Sequence, residues 1–516
     1  MQISIAYILV SVVVYGLLPS MVVAEATSKD GASQSRKASQ TARQTTTAEP
    51  AAKTPAQNKA KTPPEYKRVR WSLTAAGSQR RDWLVGDRFD WPEFSARNVF
   101  GLPDWLSATF EQRTRYETMD GRFVKGQTGG DQQIPLQTAL WLEANFQSFR
   151  AGVEFWDARQ FGSDSGSTIN NTMVDVADFP QIYGAWSTKN LLGSDLGFEA
   201  KGGRQTLDLG SRRLVARNAF RNTTNAFTGL SLRLRDGEGG WQMTAFATQP
   251  VVRLPDQTQA LLDNDYAWDQ EQHNTIFTGL FTETSLLPWS SRGELYLYYL
   301  TEDKTSSKNR ELFTPGFRLF RQPKTGQFDY EVESIAQVGR AREKATSPEQ
   351  SQESFYEHVQ LGYTFDLPWS PRILAQYDYA TGGTNHSFDT LFGARRWEYG
   401  PTGIFGAFAR NNINSPGYRL FLVPHRDVGF FAAHRLFWLA DSTAPWQPAN
   451  LVDPTGRSGD FLGHLVEVSA RWDAHSNIAL EAGWATLIKG GFARNAPGAP
   501  APDNVNYFYV QSMLRF

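Results

Sequence analysis

From Trp105 onward, apolar and polar residues alternate in short runs, and each run divides into a lipid-compatible row and a polar row. In the first run Leu106, Ala108, Phe110, Thr114 and Tyr116 share one face, interrupted by Gln112. Ser107, Thr109, Glu111, Arg113, Arg115 and Glu117 share the other. Four charges on one face of a strand require water or partners, so the polar row cannot face lipid. The second run sets Leu136, Leu140, Leu142, Ala144 and Phe146 against Gln137, Glu143 and Asn145. Later, Phe328, Tyr330, Val332, Ala336 and Val338 oppose Asp329, Glu331, Glu333 and Gln337. The segment Tyr507 to Phe516 repeats the period, with Phe508, Val510, Leu514 and Phe516 on the apolar row. It reads as a strand that closes a barrel against the first strand, leaving no unpaired edge in lipid.

Eighteen such segments run from 105–117 to 506–516, and an even number is what a bacterial outer-membrane barrel has. Their connections alternate. Those at 147–148, 190–194, 236–240, 424–427 and 473–476 are short, whereas 118–135, 251–273 and 382–415 are long. The predicted fold is all-β: a transmembrane, antiparallel, up-and-down β-barrel of about eighteen strands, with short periplasmic turns and long extracellular loops. Leu287-Pro288-Trp289-Ser290 and Leu367-Pro368-Trp369-Ser370 repeat one tetrapeptide at two predicted periplasmic turns, where Trp can anchor at the membrane interface.

Composition permits this reading without requiring it. The chain is 40% hydrophobic with a mean hydropathy of −0.45, as expected when alternation hides the lipid-facing half. It contains no Cys, which suits an envelope protein and decides little. Residues 3–24 are mostly apolar and uncharged, and Val22-Val23-Ala24 or Ala24-Glu25-Ala26 offers small residues for cleavage. A signal peptide is expected over 1–24, with an uncleaved anchor as the alternative because no Lys or Arg precedes the apolar run. Residues 25–95 are expected to form a disordered basic linker before the barrel at 96–516; between 25 and 70 it carries ten Lys and Arg against four acids. It is a solvated spacer or a contact for an anionic periplasmic partner.

Strand parity places Arg113, Arg115, Arg150, Lys201, Arg233, Arg235, Arg471 and Arg515 in the lumen. Beside them fall Glu111, Glu143, Glu154, Glu199, Asp329, Glu331, Glu333, Glu467 and Glu481. Arginine suits an anion path because its charge is permanent and its donor fork matches a carboxylate or sulfate; many of these residues are equally expected to pair across strands. Arg204 shares parity with Phe198 and Ala200, on the lipid side. A bulge at Gly202-Gly203 would turn it inward, and Arg204, Arg213, Arg217 and Arg221 are then expected to sit at or fold into the extracellular mouth. No zinc-binding His pair on a helix, Gly-x-Ser-x-Gly elbow or phosphate loop is present, so neither catalytic residues, metal ligands nor a cofactor are expected. His425, His434 and His464 read as turn or lumen residues. Asp263 and Asp265 could contribute to a calcium site, but isolated loop acids are ordinarily solvated.

Several segments resemble the alginate export family of outer-membrane proteins: Gly203-Arg204-Gln205, Arg217 to Phe220 and Arg221-Asn222-Thr223-Thr224-Asn225-Ala226-Phe227. Further segments are Phe328 to Glu333, Asp378 to Gly382 with Phe388 to Phe392, His434 to Ala440, and Leu480 to Trp484. The resemblance covers about residues 100 to 516. It implies an eighteen-stranded barrel that passes anionic polysaccharide through an electropositive constriction. Pro180-Gln181 and Gly463-His464-Leu465 depart from the family pattern at two positions that tend to be charged, which leaves the particular sugar open. The expected partners are an anionic polysaccharide or small anionic solute and outer-membrane lipid, with no nucleic acid. A general or nutrient-uptake porin for small solutes is the alternative, since fold does not fix substrate. A glycosidase would need converging carboxylates, and Glu331 and Glu333 merely stand two apart on one strand.

Overall fold

The computed structural model describes residues 96–516 except 219, 343, 384 and 385. The expected signal peptide at 1–24 and linker at 25–95 lie outside the described residues. The chain runs through β1 (Leu106–Asp120), β2 (Asp131–Phe146), β3 (Phe149–Phe161), β4 (Asp175–Thr188), β5 (Leu196–Gln205) and β6 (Phe227–Asp236). Next come β7 (Trp241–Val252), β8 (Gln270–Glu271), β9 (Thr275–Thr284), β10 (Ser291–Glu302), β11 (Glu311–Arg321) and β12 (Gln327–Ala341). The rest are β13 (Gln350–Thr364), β14 (Arg372–Ala380), β15 (Ile413–His425), β16 (Val428–Trp438), β17 (Phe461–His475), β18 (Ile478–Lys489) and β19 (Val505–Arg515).

Each wall strand pairs antiparallel with its neighbours in sequence, and β19 returns to β1, so the sheet closes. The two-residue β8 stands outside this circuit. It pairs only with the end of β7, which otherwise pairs directly with β9, leaving eighteen wall strands among the described residues. Closure satisfies every edge, the condition for strands in lipid.

The alternation is realised side chain by side chain. Along β1 every second residue from Thr109 to Met119 is buried in the interior, while Thr114 and Tyr116 are exposed outward. Gln112, the polar interruption on the outer row, is satisfied there by the Thr138 hydroxyl. Several strands extend beyond the expected segments at the loop-bearing rim: β2 begins at Asp131, β4 at Asp175 and β13 at Gln350. The extensions of β2 and β13 are too polar to show a lipid-facing row, and that of β4 breaks the period where its register with β3 shifts. The two Leu-Pro-Trp-Ser turns share one backbone form, with left-handed Trp and Ser in each copy: Trp289 and Ser290 at φ 58 and 58, Trp369 and Ser370 at φ 71 and 44.

His434 and His464 correct the expectation of turn or lumen positions, because both stand on the outward row. His434 Nε2 lies 3.1 Å from His464 Nδ1, and His434 Nδ1 lies 2.9 Å from the Tyr418 hydroxyl. Their neighbours Arg435 and Leu465 are the residues that point inward and are buried. Mutual hydrogen bonding supplies partners where lipid offers none. His425 ends β15 at the short turn, as expected.

The main apolar core lies inside the barrel. Loops 206–226, 381–412 and 439–460 fold inward, and Phe392, Phe408 and Trp446 pack on wall residues. The rings of Phe408 and Phe437 stack with centroids 3.6 Å apart, and those of Phe392 and Phe277 lie 5.0 Å apart. Each such ring contributes on the order of 2 kcal/mol of burial toward holding its loop down.

Candidate functional site: the charged lumen

Loops 206–226 and 381–412 grip each other before they grip the wall. Val215 bridges to Phe392, the Phe392 amide donates to the Leu214 carbonyl at 2.9 Å, and the Ala394 amide donates to the Arg212 carbonyl at 2.9 Å. Asn222 fixes the first loop to β1–β3. Its Nδ2 lies 2.9–3.0 Å from the carbonyls of Leu136, Arg159 and Met173, and its own carbonyl accepts from Gln137 and Trp156. Asn225 Nδ2 reaches the carbonyls of Ala216 and Phe392. The Asn-rich segment after Arg221 is therefore a set of loop anchors.

Arginines pin these loops to carboxylates on the wall. Arg213, 1% exposed, reaches Glu331 at 2.5 Å and also Glu333, both on β12, and Glu398 of the second loop at 3.1 Å. Burial opposes its charge, yet these three carboxylates prevail and hold the guanidinium well above its ordinary pKa. Arg217 forks onto Glu154 at 2.5 and 2.8 Å, Arg396 meets Glu467 at 2.6 Å, and Arg410 meets Glu398 at 2.6 Å. Arg213 and Arg217 thus fold in from the mouth and lie deep in the barrel, because the in-turned loop carries them to wall residues near mid-strand. Arg221 is half-buried beside this network and donates to Asn225 Oδ1 at 2.9 Å. Burial, then Arg253 and Arg395, depress its pKa well below the ordinary value.

The residues singled out by parity divide into paired and free groups. Arg115 meets Glu117 at 2.8 Å, Arg150 meets Glu199 at 2.5 Å, Arg471 meets Asp473 at 2.8 Å, and Arg515 meets Glu111 at 3.0 Å. Arg113 donates to the Arg221 carbonyl and to Asn222 Oδ1. Near the short-turn rim the inward row of β5–β6 presents Lys201, Arg233 and Arg235. Lys201 lies 4.8 Å from the Tyr183 ring centre, and both arginines are exposed, with no ion pair among the described residues. On the in-turned loop, half-buried Arg395 has no side-chain ion pair or hydrogen bond among the described residues. Burial and then Arg410 bring its pKa down to about 10.

Arg204 is not turned inward. The pairing of β4 with β5 and of β5 with β6 continues unbroken through Gly202 and Gly203, so no bulge occurs there. Arg204 opposes outward-facing Ile182 and stays on the outer face at the loop-side end of β5. It is neutralised there by Asp178 at 3.3 Å and Glu271 at 2.8 Å. Those partners come from distant segments, so local spacing carries no trace of them. Lumen residues absent from the sequence reading include Arg318, Arg372, Arg419 and Arg435, all buried on inward rows that parity would have identified. Glu398, Arg396 and Arg410 sit in a loop without period and gave no signal.

A lumen cavity opens where β1, β3 and β19 face the two loops. Arg113, Arg115, Arg212, Arg217 and Arg396 converge on it, against Glu111 and Glu481. Four of these arginines are held by carboxylates just outside the lining, Arg115 by Glu117, Arg212 by Asp208, Arg217 by Glu154 and Arg396 by Glu467, so the cavity is lined by guanidinium groups whose charge is largely met locally.

Solved outer-membrane proteins share this fold. The chain is similar to OccAB1 of Acinetobacter baumannii, with TM-score 0.54 and 12% identity, covering 80% of this chain and 97% of that one. OpdK of Pseudomonas aeruginosa, solved with vanillate, gives 0.53 and 11%, covering 80% and 98%. OccK2 (OpdF) of the same organism, solved with glucuronate, gives 0.52 and 10%, covering 80% and 98%. No curated protein matches the sequence. The alginate export family profile matches residues 104–506, from just before β1 to the first residues of β19, and the chain belongs to that family of bacterial outer-membrane channels.

Proposed function

We propose that the channel passes an anionic oligo- or polysaccharide passively, guided by luminal cations. The observation that carries this reading is the cavity where five arginines face two glutamates. Lys201, Arg233 and Arg235 would extend the positive surface toward the short-turn rim, and Arg150, Arg471 and Arg515, each held by a carboxylate, would set the shape of the wall around it. Arg113 and Arg115 would offer forked donors to a passing carboxylate or sulfate, while Glu111, Glu154, Glu331, Glu333 and Glu467 hold the neighbouring guanidinium groups of Arg515, Arg217, Arg213 and Arg396 in place. Arg204 has no part in this path. The solved OccK2 and OpdK structures hold glucuronate and vanillate, both acids, which agrees with an anionic cargo.

A second reading is uptake of small anionic nutrients, favoured by the loops that fill the loop-side half of the lumen with apolar core. Planar-bilayer recording separates the readings. An anion-preferring conductance that oligouronates block, with block weakened in Arg113→Gln, is expected for the saccharide path. Anion preference without oligouronate block favours the small-solute path, and cation preference would reject both.

A further inference from the structure

At the loop-bearing rim, Asp175 and Asp178 of β4 meet Asp269 of loop 253–274. One carboxylate oxygen from each lies within 4.8 Å of the others, and the three residues are 4%, 1% and 7% exposed. Buried carboxylates are costly unless paired, and these are under-paired. Among the described residues, Asp175 Oδ1 and Asp178 Oδ1 have no hydrogen-bond partner. Asp269 Oδ1 accepts only the Leu254 amide, at 2.8 Å. Of the two neighbouring cations, Arg204 reaches one carboxylate of the three, that of Asp178, and Arg253 is spent on carbonyl and amide oxygens. Arg204 divides itself between Asp178, Glu271 and the Asp269 carbonyl, and Arg253 donates to the carbonyls of Asn171 and Thr224 and to Asn225 Oδ1.

We propose that Asp175, Asp178 and Asp269 form a binding site for a divalent, oxygen-seeking cation of the calcium class, which fastens loop 253–274 to the top of β4. Charge supports the assignment: with Glu271 included, four carboxylates face the two arginines, a deficit that one divalent ion balances. Geometry supports it as well. Oxygens up to 4.8 Å apart are bridged by two calcium–oxygen bonds of roughly 2.3–2.6 Å, and calcium tolerates the irregular, all-oxygen ligand sets that short loops provide. The site is distinct from the lumen, because its partner Arg204 stands on the outer row. It also differs from Asp263 and Asp265 of the same loop; the Asp263 carboxylate accepts from Gln259.

Terbium luminescence on the full folded chain in detergent tests the proposal, since Trp268, next to Asp269 in sequence, is a built-in donor. The expected result is a saturable signal that calcium displaces, dimmed by Trp268→Phe and weakened roughly tenfold or more in affinity by Asp175→Asn. Asp263→Asn should leave the affinity unchanged. Calcium should also raise the melting temperature of the wild type relative to EDTA and slow proteolysis within 253–274, readouts that do not depend on Asp175→Asn folding. Absence of a saturable signal, a signal indifferent to Trp268→Phe, or equal affinity in folded Asp175→Asn would overturn the site.

Discussion

Arg515 Nη2 donates to Glu111 Oε2 at 3.0 Å across the seam where the last strand meets the first. Beside it, Phe110 and Phe516 exchange backbone hydrogen bonds of 3.0 and 2.9 Å. The seam therefore has a backbone ladder and a buried charge pair at its short-turn end. Glu111→Gln removes one charge and leaves the other buried, which should destabilise the closed barrel by about 3 kcal/mol. The folded band in unheated gel electrophoresis should convert to the unfolded one at a lower temperature than in the wild type. An unchanged conversion temperature would show that the backbone ladder alone secures the seam.

Arg213 links loop 206–226 to β12 and to the second in-turned loop. Arg213→Met deletes the cation and leaves Glu331, Glu333 and Glu398 facing one another, a change of about 3–5 kcal/mol against the docked loop. The expected readout is a larger and noisier single-channel conductance. Conductance equal to wild type would mean that the aromatic core holds the loop without it.

Glu398 makes this docking sensitive to acid. Burial works against its ionisation, but Arg410 and Arg213 outweigh burial and keep its carboxyl below the usual range. A carboxylate depressed on folding contributes fully above its unfolded pKa of about 4.3, and the contribution fades as pH falls through the lower folded value. Conductance should stay flat between about pH 6 and 8 and rise below about pH 4 as the loops loosen. Glu398→Gln should shrink that acid-dependent rise. The same rise in the variant would assign it to other carboxylates.

Arg395 stands on the in-turned loop with no side-chain partner among the described residues. Its removal should cost little stability, since no pair is broken, yet lower the anion-to-cation permeability ratio by a factor of roughly 2 to 5. Reversal potentials of Arg395→Gln in a salt gradient measure this, with the melting temperature as control. A stability loss without a selectivity change would make Arg395 a structural residue.

The wall was readable from sequence because a strand between lipid and water must alternate, so each inward residue announces itself by parity. Arg515, Glu111, Arg113 and Glu331 were all located that way. Parity also placed Arg204 correctly on the outer row, and only the added bulge was mistaken. What could not be read were contacts that no period encodes: Arg213 on Glu331, Asn222 under β1–β3, and Asp269 beside Asp175.

The sequence by itself determined the barrel, its strand number, the phase of turns and loops, and the polar row that lines the lumen. Each follows from local alternation imposed by two solvents. Only the tertiary structure decided which arginines are spent on carboxylates and which stay free, because that depends on loops folding inward to meet wall residues 63 to 118 positions away.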